Sequence, residues 1–183
     1  MTGTDLELID AYRDRGERAA LDALMRRHLG RIRNVVFQMV LDDALADDLT
    51  QDIFHRAVRG LPSFAGRSDF STWLYRIAMN VVYSHIDRKR RSPLVESTDN
   101  TVPCSGRHDG PEQRLAGAEL LEAVERAMAE LSPKLRAAIV LTCLQGKSAA
   151  EAAAIEDCEI GTIYSRVHEA RKQLKNRLGD FQS

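Results

Sequence analysis

Apolar residues recur at helical spacing along most of this chain, and no comparable stretch alternates with the two-residue period of a strand. The stripe in residues 21–40 comprises Leu21, Leu24, Met25, His28, Ile32, Val35, Val36 and Met39. Similar patterns occupy residues 45–61 and 71–90, and the latter stripe comprises Leu74, Ile77, Ala78, Val81 and His85. We therefore predict an all-α protein.

The helical pattern stops between residues 93 and 118, where prolines and glycines occur among Ser, Thr, Asp and Asn. This composition is typical of a flexible linker that cannot bury a core. A chain of 183 residues has room for two small domains with modest cores. We predict a helical domain at residues 1–92, a linker at 93–118 and a second helical domain at 119–183.

The second domain has the pattern of a helix-turn-helix. Ser132 and Pro133 are typical of a helix start, and Ser148 with Glu151 matches a capping box. That capped helix is predicted to end near Asp157 and to be followed by another. The residues predicted to face inward are Leu120, Leu121, Val124, Met128, Leu131, Ile160, Ile163, Val167, Ala170 and Leu174. The second helix of such a motif can enter the major groove of DNA.

Opposite charges nearly cancel, since 26 Lys and Arg residues and 27 Asp and Glu residues give a formal net charge of −1. This balance argues against a uniformly basic coat for nucleic acid, but the charges are segregated along the sequence. An acidic run comprises Asp42, Asp43, Asp47, Asp48 and Asp52, and residues 88–91 are all basic. The last helix is also basic, with Arg166, Arg171, Lys172, Lys175 and Arg177.

Each charged cluster has two interpretations. The acidic run suits either the first turn of a helix or a surface for a basic protein, and sequence physics alone leaves these equal. The basic run at 88–91, taken alone, favours a solvated helix end. The last helix favours contact with DNA phosphates, because it follows a capped helix at helix-turn-helix spacing.

The cysteines and histidines predict no metal site and no catalytic centre. The five histidines show no paired zinc spacing, and Cys104 with His108 is only half a site. Cys143 and Cys158 are expected to be buried thiols, and the odd cysteine count favours a reducing, cytoplasmic location. No signal segment or run of ~20 apolar residues favours membrane insertion. We predict no enzyme activity and no cofactor.

Two long motifs resemble conserved regions of bacterial sigma-70-type factors, most closely those of the extracytoplasmic-function (ECF) group. The first motif comprises residues 47–54 and 66–80, and the second comprises residues 131–133 and 160–171. The resemblance covers about residues 5–178. It implies a promoter-specificity subunit of RNA polymerase, built from a region 2 helical bundle and a region 4 helix-turn-helix.

The resemblance implies that the acidic helix docks on core RNA polymerase. Its partner would be the clamp coiled coil of the β′ subunit, and the flap of the β subunit would be a second contact. The implied core-binding residues are Asp47, Asp48, Gln51, Asp52 and Phe54. An anti-sigma factor is a further expected partner.

The resemblance also implies that residues 63–91 open the −10 promoter element, where a pocket holds extruded bases. The loop at 64–70, with Asn80 on the neighbouring helix, would form that pocket. The implied −10 residues are Phe64, Gly66, Arg67, Ser68, Asp69, Trp73, Arg76, Asn80, Arg88 and Arg90. The helix face of Trp73, Arg76 and Asn80 is expected to be free for DNA, although core packing of Trp73 is an equal interpretation.

The last helix would read the −35 element. The implied residues are Thr162, Tyr164, Ser165, Arg166, His168, Glu169, Arg171 and Lys172. Arginine can bind guanine with two hydrogen bonds in the major groove. For Glu169 two interpretations stay open, an acceptor for a cytosine amine or a partner of Lys172 or Gln173.

Two rival functions remain. A sigma mimic that sequesters an anti-sigma factor needs no basic recognition helix and no intact −10 loop, so both features argue against it. An autonomous dimeric helix-turn-helix regulator is disfavoured, because the first domain matches region 2 and no dimer helix is evident.

Overall fold

The computed structural model describes residues 3–91 and 111–179. Every regular element within these residues is helical, which confirms the all-α prediction. The α-helices are α1 (Asp5–Arg15), α2 (Arg18–Val40), α3 (Asp43–Gly60), α4 (Phe70–Arg91), α5 (Pro111–Ala129), α6 (Pro133–Ile139), α7 (Ala149–Glu156) and α8 (Ile160–Leu178). A 3₁₀ turn, Leu61–Ser63, follows α3, and a π-helical turn, Val140–Leu144, follows α6.

Helices α1 to α4 form a bundle around α2. The predicted apolar stripe of α2 is confirmed, since Leu24, Ile32, Val35 and Met39 are fully buried. This helix packs against α1, α3 and α4, so its stripe contributes to most of the core of the first domain.

Helix α1 is an element that the apolar spacing did not predict. Thr4 and Glu7 form a capping box at its start, and Gly16 ends it at a left-handed φ of 67°. Leu8, Ile9 and Ala11 are buried in the bundle. The helix has 11 residues, and its buried face is too short to give a periodic signal.

The second domain contains the predicted helix-turn-helix. The hydroxyl of Ser132 caps α6, and both halves of the Ser148–Glu151 capping box are present at the start of α7. Asp157 ends α7 at a left-handed φ of 51°, a conformation that Asp tolerates better than most residues. This tight end places α8 directly after α7, where the two helices pack together.

Three inward-facing predictions in this domain are wrong. Leu120, Leu121 and Ile160 are 54%, 41% and 44% exposed. In α5 the small residues Ala123 and Ala127 are buried instead, because a close helix contact favours short side chains on that face. Ile160 is the first residue of α8, and its side chain leans back beyond the packed part of the helix.

Most of the predicted linker, including Cys104 and His108, lies outside the described residues. Its last part does not, since α5 begins at Pro111 and residues 111–118 are helical. Proline is accepted in the first turn of a helix, where its missing amide has no intrahelical partner.

The two domains pack against each other along a polar seam. Arg136 of α6 is buried there and donates from Nη1 to the Met39 carbonyl and from Nη2 to the Ala129 carbonyl, both at 2.6 Å. Met39 lies in the last turn of α2, where carbonyls lack intrahelical partners. A cation from the second domain therefore caps a helix of the first. Gln145 adds a hydrogen bond to Gln38 at 3.0 Å.

Replacing Glu151 with alanine is expected to lower the free energy of unfolding by roughly 1 kcal/mol at neutral pH. Hydrogen bonds from Lys147 and Ser148 lower the pKa of Glu151 from 4.5 to about 2. A depressed carboxyl pKa stabilises the fold above the ordinary value, and this contribution is lost as the pH falls towards 2. Urea unfolding of Glu151→Ala and the wild type should therefore give free energies that converge on acidification. A difference that stays constant with pH would contradict this role.

Candidate polymerase- and DNA-binding surfaces

The acidic run lies on α3 and is partly neutralised by one arginine of α2. Asp42 is the N-cap of α3 and accepts from the Leu45 amide at 2.9 Å. Arg33 donates to Asp47 at 2.6 Å and to Asp43 at 2.9 Å. These hydrogen bonds raise the pKa of Arg33 and lower the pKa of Asp47. The helix-start interpretation therefore accounts for Asp42 and Asp43, but not for Asp47, Asp48 and Asp52.

The outer part of α3 is open to a partner. Asp48 and Gln51 are exposed, whereas Asp52 is paired with Arg56 at 2.9 Å one turn later. Phe54 is half-buried and packs on the core of the bundle. A partner approaching α3 meets one unshared carboxylate, that of Asp48, beside a partly apolar surface.

An apolar groove of about 420 Å³ lies between α2 and α3. Its lining residues are Met25, Arg26, Leu29, Arg33, Asp47, Thr50, Gln51 and Phe54. The groove thus brings together three of the five predicted core-binding residues. Leu29, which is 47% exposed, and the partly buried Met25 were not identified from the sequence as part of this groove. Their spacing of four on α2 was the available signal, but Met25 was read only as part of the core stripe.

Three aromatic side chains form a cluster beneath the loop at 64–70. The ring centroids of Phe64 and Trp73 are 5.2 Å apart, and Phe70 lies 5.5 Å from Trp73. Phe64 and Phe70 are buried, and Trp73 is half-buried close against Gly60. Phe64 therefore packs in the core and is not the wall of an open pocket. Most of the Trp73 ring therefore packs against neighbouring side chains, in agreement with the core-packing interpretation.

A cavity of about 540 Å³ opens beside the same loop. It is lined by residues 66–71 and, from α1, by Thr4, Asp5 and Leu6. Gly66 has a φ of 65°, a left-handed conformation that favours glycine. Asn80 does not share this cavity, although the sequence predicted that it would. It lies ten residues after Phe70 on α4, a distance of roughly 15 Å along the helix.

The α4 face expected to be free for DNA meets α7 of the second domain. Arg76 donates to Asp157 at 3.0 Å, and Asn80 borders a recess that also contains Ile155. Arg76 therefore has a partner in the second domain whereas Asn80 is exposed, so this face is only partly covered in this arrangement of the domains. A contact between the two domains was not visible to helix-by-helix sequence analysis.

Glu156, at the end of α7, is the most enclosed charged group in the seam. Its side chain has no exposed area and accepts from Tyr83 at 2.8 Å, Lys134 at 3.0 Å and Arg166 at 3.2 Å. Burial and the neighbouring carboxylate raise the pKa of Tyr83. One carboxylate therefore joins α4, α6, α7 and α8, and Arg166 has a structural contact in addition to its predicted role in DNA reading.

The outer face of α8 carries most of the predicted −35 residues. Tyr164, Ser165, His168, Arg171 and Lys172 are exposed, and Thr162 is half-buried. The carboxylate of Glu169 accepts from Gln173 at 2.8 Å, which is one of the two interpretations given for it. The helix thus presents hydroxyl, imidazole and cationic groups together, a set that binds phosphates and base edges.

Cys143 is exposed, so its prediction as a buried thiol is wrong. The π-helical turn places it at the surface, where Arg171 donates to its sulfur at 3.4 Å. Partial burial raises the pKa of Cys143, but hydrogen bonds from Arg171 and Thr142 lower it by more. The pKa of this thiol is therefore below its ordinary value. Cys158 is half-buried beside Arg166, at the corner of the helix-turn-helix.

The C-terminal end of α4 is basic and open to solvent, with Arg88 and Arg90 exposed. Burial, followed by the charges of Lys89 and Arg88, lowers the pKa of the nearby His85. The cluster lies at a helix C-terminus, where the macrodipole also favours cations.

Within residues 3–91 and 111–179, no three potential metal ligands come together. No described helix combines the length and the apolar composition needed to cross a bilayer.

The two halves of the chain match two parts of one protein family. Residues 24–92 match the family model of Sigma-70 region 2, and residues 121–174 match that of Sigma-70, region 4. The first range contains the groove and the loop, and the second contains the helix-turn-helix. The chain belongs to the sigma-70 family. Sigma factors are specificity subunits for transcription initiation and not enzymes. This agrees with the sequence prediction that the chain has no enzyme activity of its own.

Relatives match this sigma factor over nearly its whole length. The ECF RNA polymerase sigma-E factor of Escherichia coli (strain K12) is 33% identical over 96% of this chain and 94% of its own. The RNA polymerase sigma-H factor of Pseudomonas aeruginosa is 32% identical over 95% and 93%, respectively. These relatives confirm the resemblance to the ECF group.

A solved structure shares the fold. The sigma factor RpoE of Bartonella quintana, crystallised with the anti-sigma factor NepR, has a TM-score of 0.71 and 29% identity, covering 87% of this chain and 96% of that one. This likeness includes both helical domains, because it spans most of each chain.

Glu156→Ala is expected to lower the free energy of unfolding by about 1–3 kcal/mol, because it leaves buried donors without their acceptor. Asp157→Asn is the matched control, since its pair with Arg76 is 90% exposed on the aspartate side and asparagine tolerates the left-handed φ of this position. An exposed pair contributes only about 0–1 kcal/mol. Urea unfolding followed by circular dichroism measures both. Equal effects of the two substitutions would contradict the central role of Glu156.

Proposed function

We propose that this sigma factor docks on core RNA polymerase through the groove between α2 and α3, holds the opened −10 element at the loop before α4, and reads the −35 element with α8. The observation that carries this proposal is the presence of three chemically different surfaces on one chain. They are an apolar groove beside α3, whose Asp48 is exposed, a loop cavity and an exposed basic helix. The groove, the loop and the −35 residues of α8 lie within the matched region 2 and region 4.

Core docking rests on the chemistry of the groove. The half-buried Phe54 and the exposed Leu29 offer an apolar anchor, and Asp48 offers a carboxylate to a basic partner. The proposed partner is the clamp coiled coil of the β′ subunit, with the flap of the β subunit meeting the second domain. Because this sigma factor would act on core RNA polymerase, we expect a cytoplasmic location.

Holding the −10 element rests on the loop cavity, on Arg67 in its lining and on the basic C-terminal end of α4, which begins roughly 27 Å further along that helix. The cavity is large enough for a nucleobase, and Arg67 and the basic end of α4 can neutralise the phosphates of the opened strand. Asn80 and Arg76 would join this surface only when the α7 turn moves away from α4.

Reading of the −35 element rests on the exposed face of α8. Arg171 and Lys172 carry charge at the surface, and the ring of Tyr164 is 65% exposed. Arg166 is held by Glu156, so its guanidinium would reach a base only after exchanging that partner.

The packed arrangement of the two domains is proposed to be the form without promoter. The α7 turn covers part of the −10 surface on α4, so the two DNA elements cannot be held together in this arrangement. Docking on core would separate the domains. An anti-sigma factor is the proposed partner of the packed form, supported by the likeness to RpoE, which was crystallised with NepR.

Pulldown with core polymerase, followed by runoff transcription from genomic fragments, tests the proposal as a whole. We expect binding to core and transcripts that start at a common promoter pattern. Failure to bind core would refute the proposal. Binding to core without promoter-dependent transcripts would favour the sigma mimic.

Asp48→Lys is expected to weaken the affinity for core polymerase at least about tenfold, because it reverses the charge of the one unshared carboxylate on α3. Asp14→Lys makes the same change at an exposed position on α1 and is expected to leave the affinity unchanged. Fluorescence anisotropy with labelled protein measures both dissociation constants. Similar losses in the two variants would point to a general charge effect and not to a docking surface.

Tyr164→Ala combined with Lys172→Ala is expected to reduce transcription that depends on the −35 element several-fold while core binding is retained. Both side chains are exposed and contact nothing in the seam, so the fold should be unaffected. Lys175→Ala, on the same helix but outside the proposed reading set, is the control. Runoff transcription with and without the −35 segment measures the effect; an equal loss on both templates would contradict the assignment.

A further inference from the structure

The first turn of α1 lies across the cavity beside the −10 loop. Thr4, Asp5 and Leu6 line that cavity together with residues 66–71. Neither the apolar spacing nor the region 2 match, which begins at residue 24, includes this turn. The cavity therefore has one wall from a segment to which no function is assigned.

The wall is held in place by side chains of α2. Arg27 donates to the Asp5 carboxylate at 2.6 Å and to the Gly3 carbonyl at 2.6 Å. The other carboxylate oxygen of Asp5 lies 2.8 Å from His28 Nε2. His28 is buried, and its ring meets Phe70 edge-on at a centroid distance of 5.2 Å. One histidine therefore joins the wall of the cavity to the aromatic cluster beneath the loop, so the two surfaces keep a fixed spacing.

The chemistry of the cavity suits one class of ligand. Leu6 is 55% exposed, so the wall offers an uncovered apolar side chain large enough to cover a planar ring. The Asp5 carboxylate accepts two hydrogen bonds in the fold, and a carboxylate has about four acceptor sites. The remaining acceptors favour a base with an exocyclic amino group, which cytosine, adenine and guanine have and thymine lacks.

We propose that the first turn of α1 is the outer wall of the −10 base pocket and selects an unpaired base with an exocyclic amine over thymine. Leu6 covers one face of the extruded base, and Asp5 accepts a hydrogen bond from its exocyclic amine. This inference rests on the proposed function, since it assigns a base to the cavity of the −10 loop. It makes α1 part of promoter selection.

The test uses holoenzyme reconstituted from core polymerase and the full chain. The probe is a pool of duplexes with a preformed bubble, whose non-template strand is randomised over the opened segment; bound DNA is sequenced. We expect one position of the bubble to disfavour thymine against the three bases with an exocyclic amine in the wild type. In Leu6→Ser and in Asp5→Asn that preference should fall at least about fivefold, while the other positions keep theirs. Asp14→Ser, at the far end of α1, should leave every position unchanged.

The possible results separate this inference from the function on which it rests. Unchanged preferences in Leu6→Ser would overturn the inference, and so would a wild-type preference for thymine at the position that Leu6→Ser alters. Because Leu6 is exposed, this variant decides the matter even if Asp5→Asn fails to fold. A wild type that binds core but selects no base in the bubble would instead refute the proposed handling of the −10 element.

Discussion

The carboxylate of Glu156 is the interaction on which the arrangement of this protein depends. It is fully enclosed, and its three donors come from α4, α6 and α8, so a single group fixes the helix-turn-helix and joins it to the first domain. A buried carboxylate is tolerated only when hydrogen bonds replace the water that it has lost. Lys134 supplies one of these hydrogen bonds, and its ammonium also lies 3.9 Å above the ring of Tyr83. The recognition helix is therefore oriented by the same group that keeps the domains together.

The sequence predicted those parts of the fold that depend on local signals. Three such features depend on residues that are close in sequence, namely the stripe of α2, the capping box at Ser148 and the turn at Asp157. All three are present. The parts that depend on distant contacts were not predictable in this way. Leu120 and Leu121 have the spacing of core residues, but α5 buries Ala123, Ala127 and Met128, and only the neighbouring helix decides which face is covered.

The candidate sites show the same division. The acidic character of α3 was visible in the sequence, whereas Arg33, which binds two of its carboxylates, comes from another helix. The −10 loop was identified from its motif, but Asn80 was grouped with it on resemblance alone, although α4 carries the two apart. The first turn of α1 contributes to the same cavity without any motif of its own. Residues in one motif are close in sequence, but a cavity is assembled from segments that the fold brings together.

The polar character of the seam has a consequence for the response to ionic strength. Beside the enclosed Glu156 and Arg136 and the apolar residues that the two domains share in one core cluster, the seam contains the exposed Arg76–Asp157 pair and several side-chain hydrogen bonds. These outer contacts resemble a transient interface more than a domain core. Added salt screens exposed ion pairs and loosens such a seam, but it also weakens the binding of cations to DNA phosphates. The same ions therefore favour the opening of the free protein and oppose its binding to promoter DNA. Over some range of salt concentration these two effects offset each other, so promoter binding varies less with salt than the number of phosphate contacts alone implies.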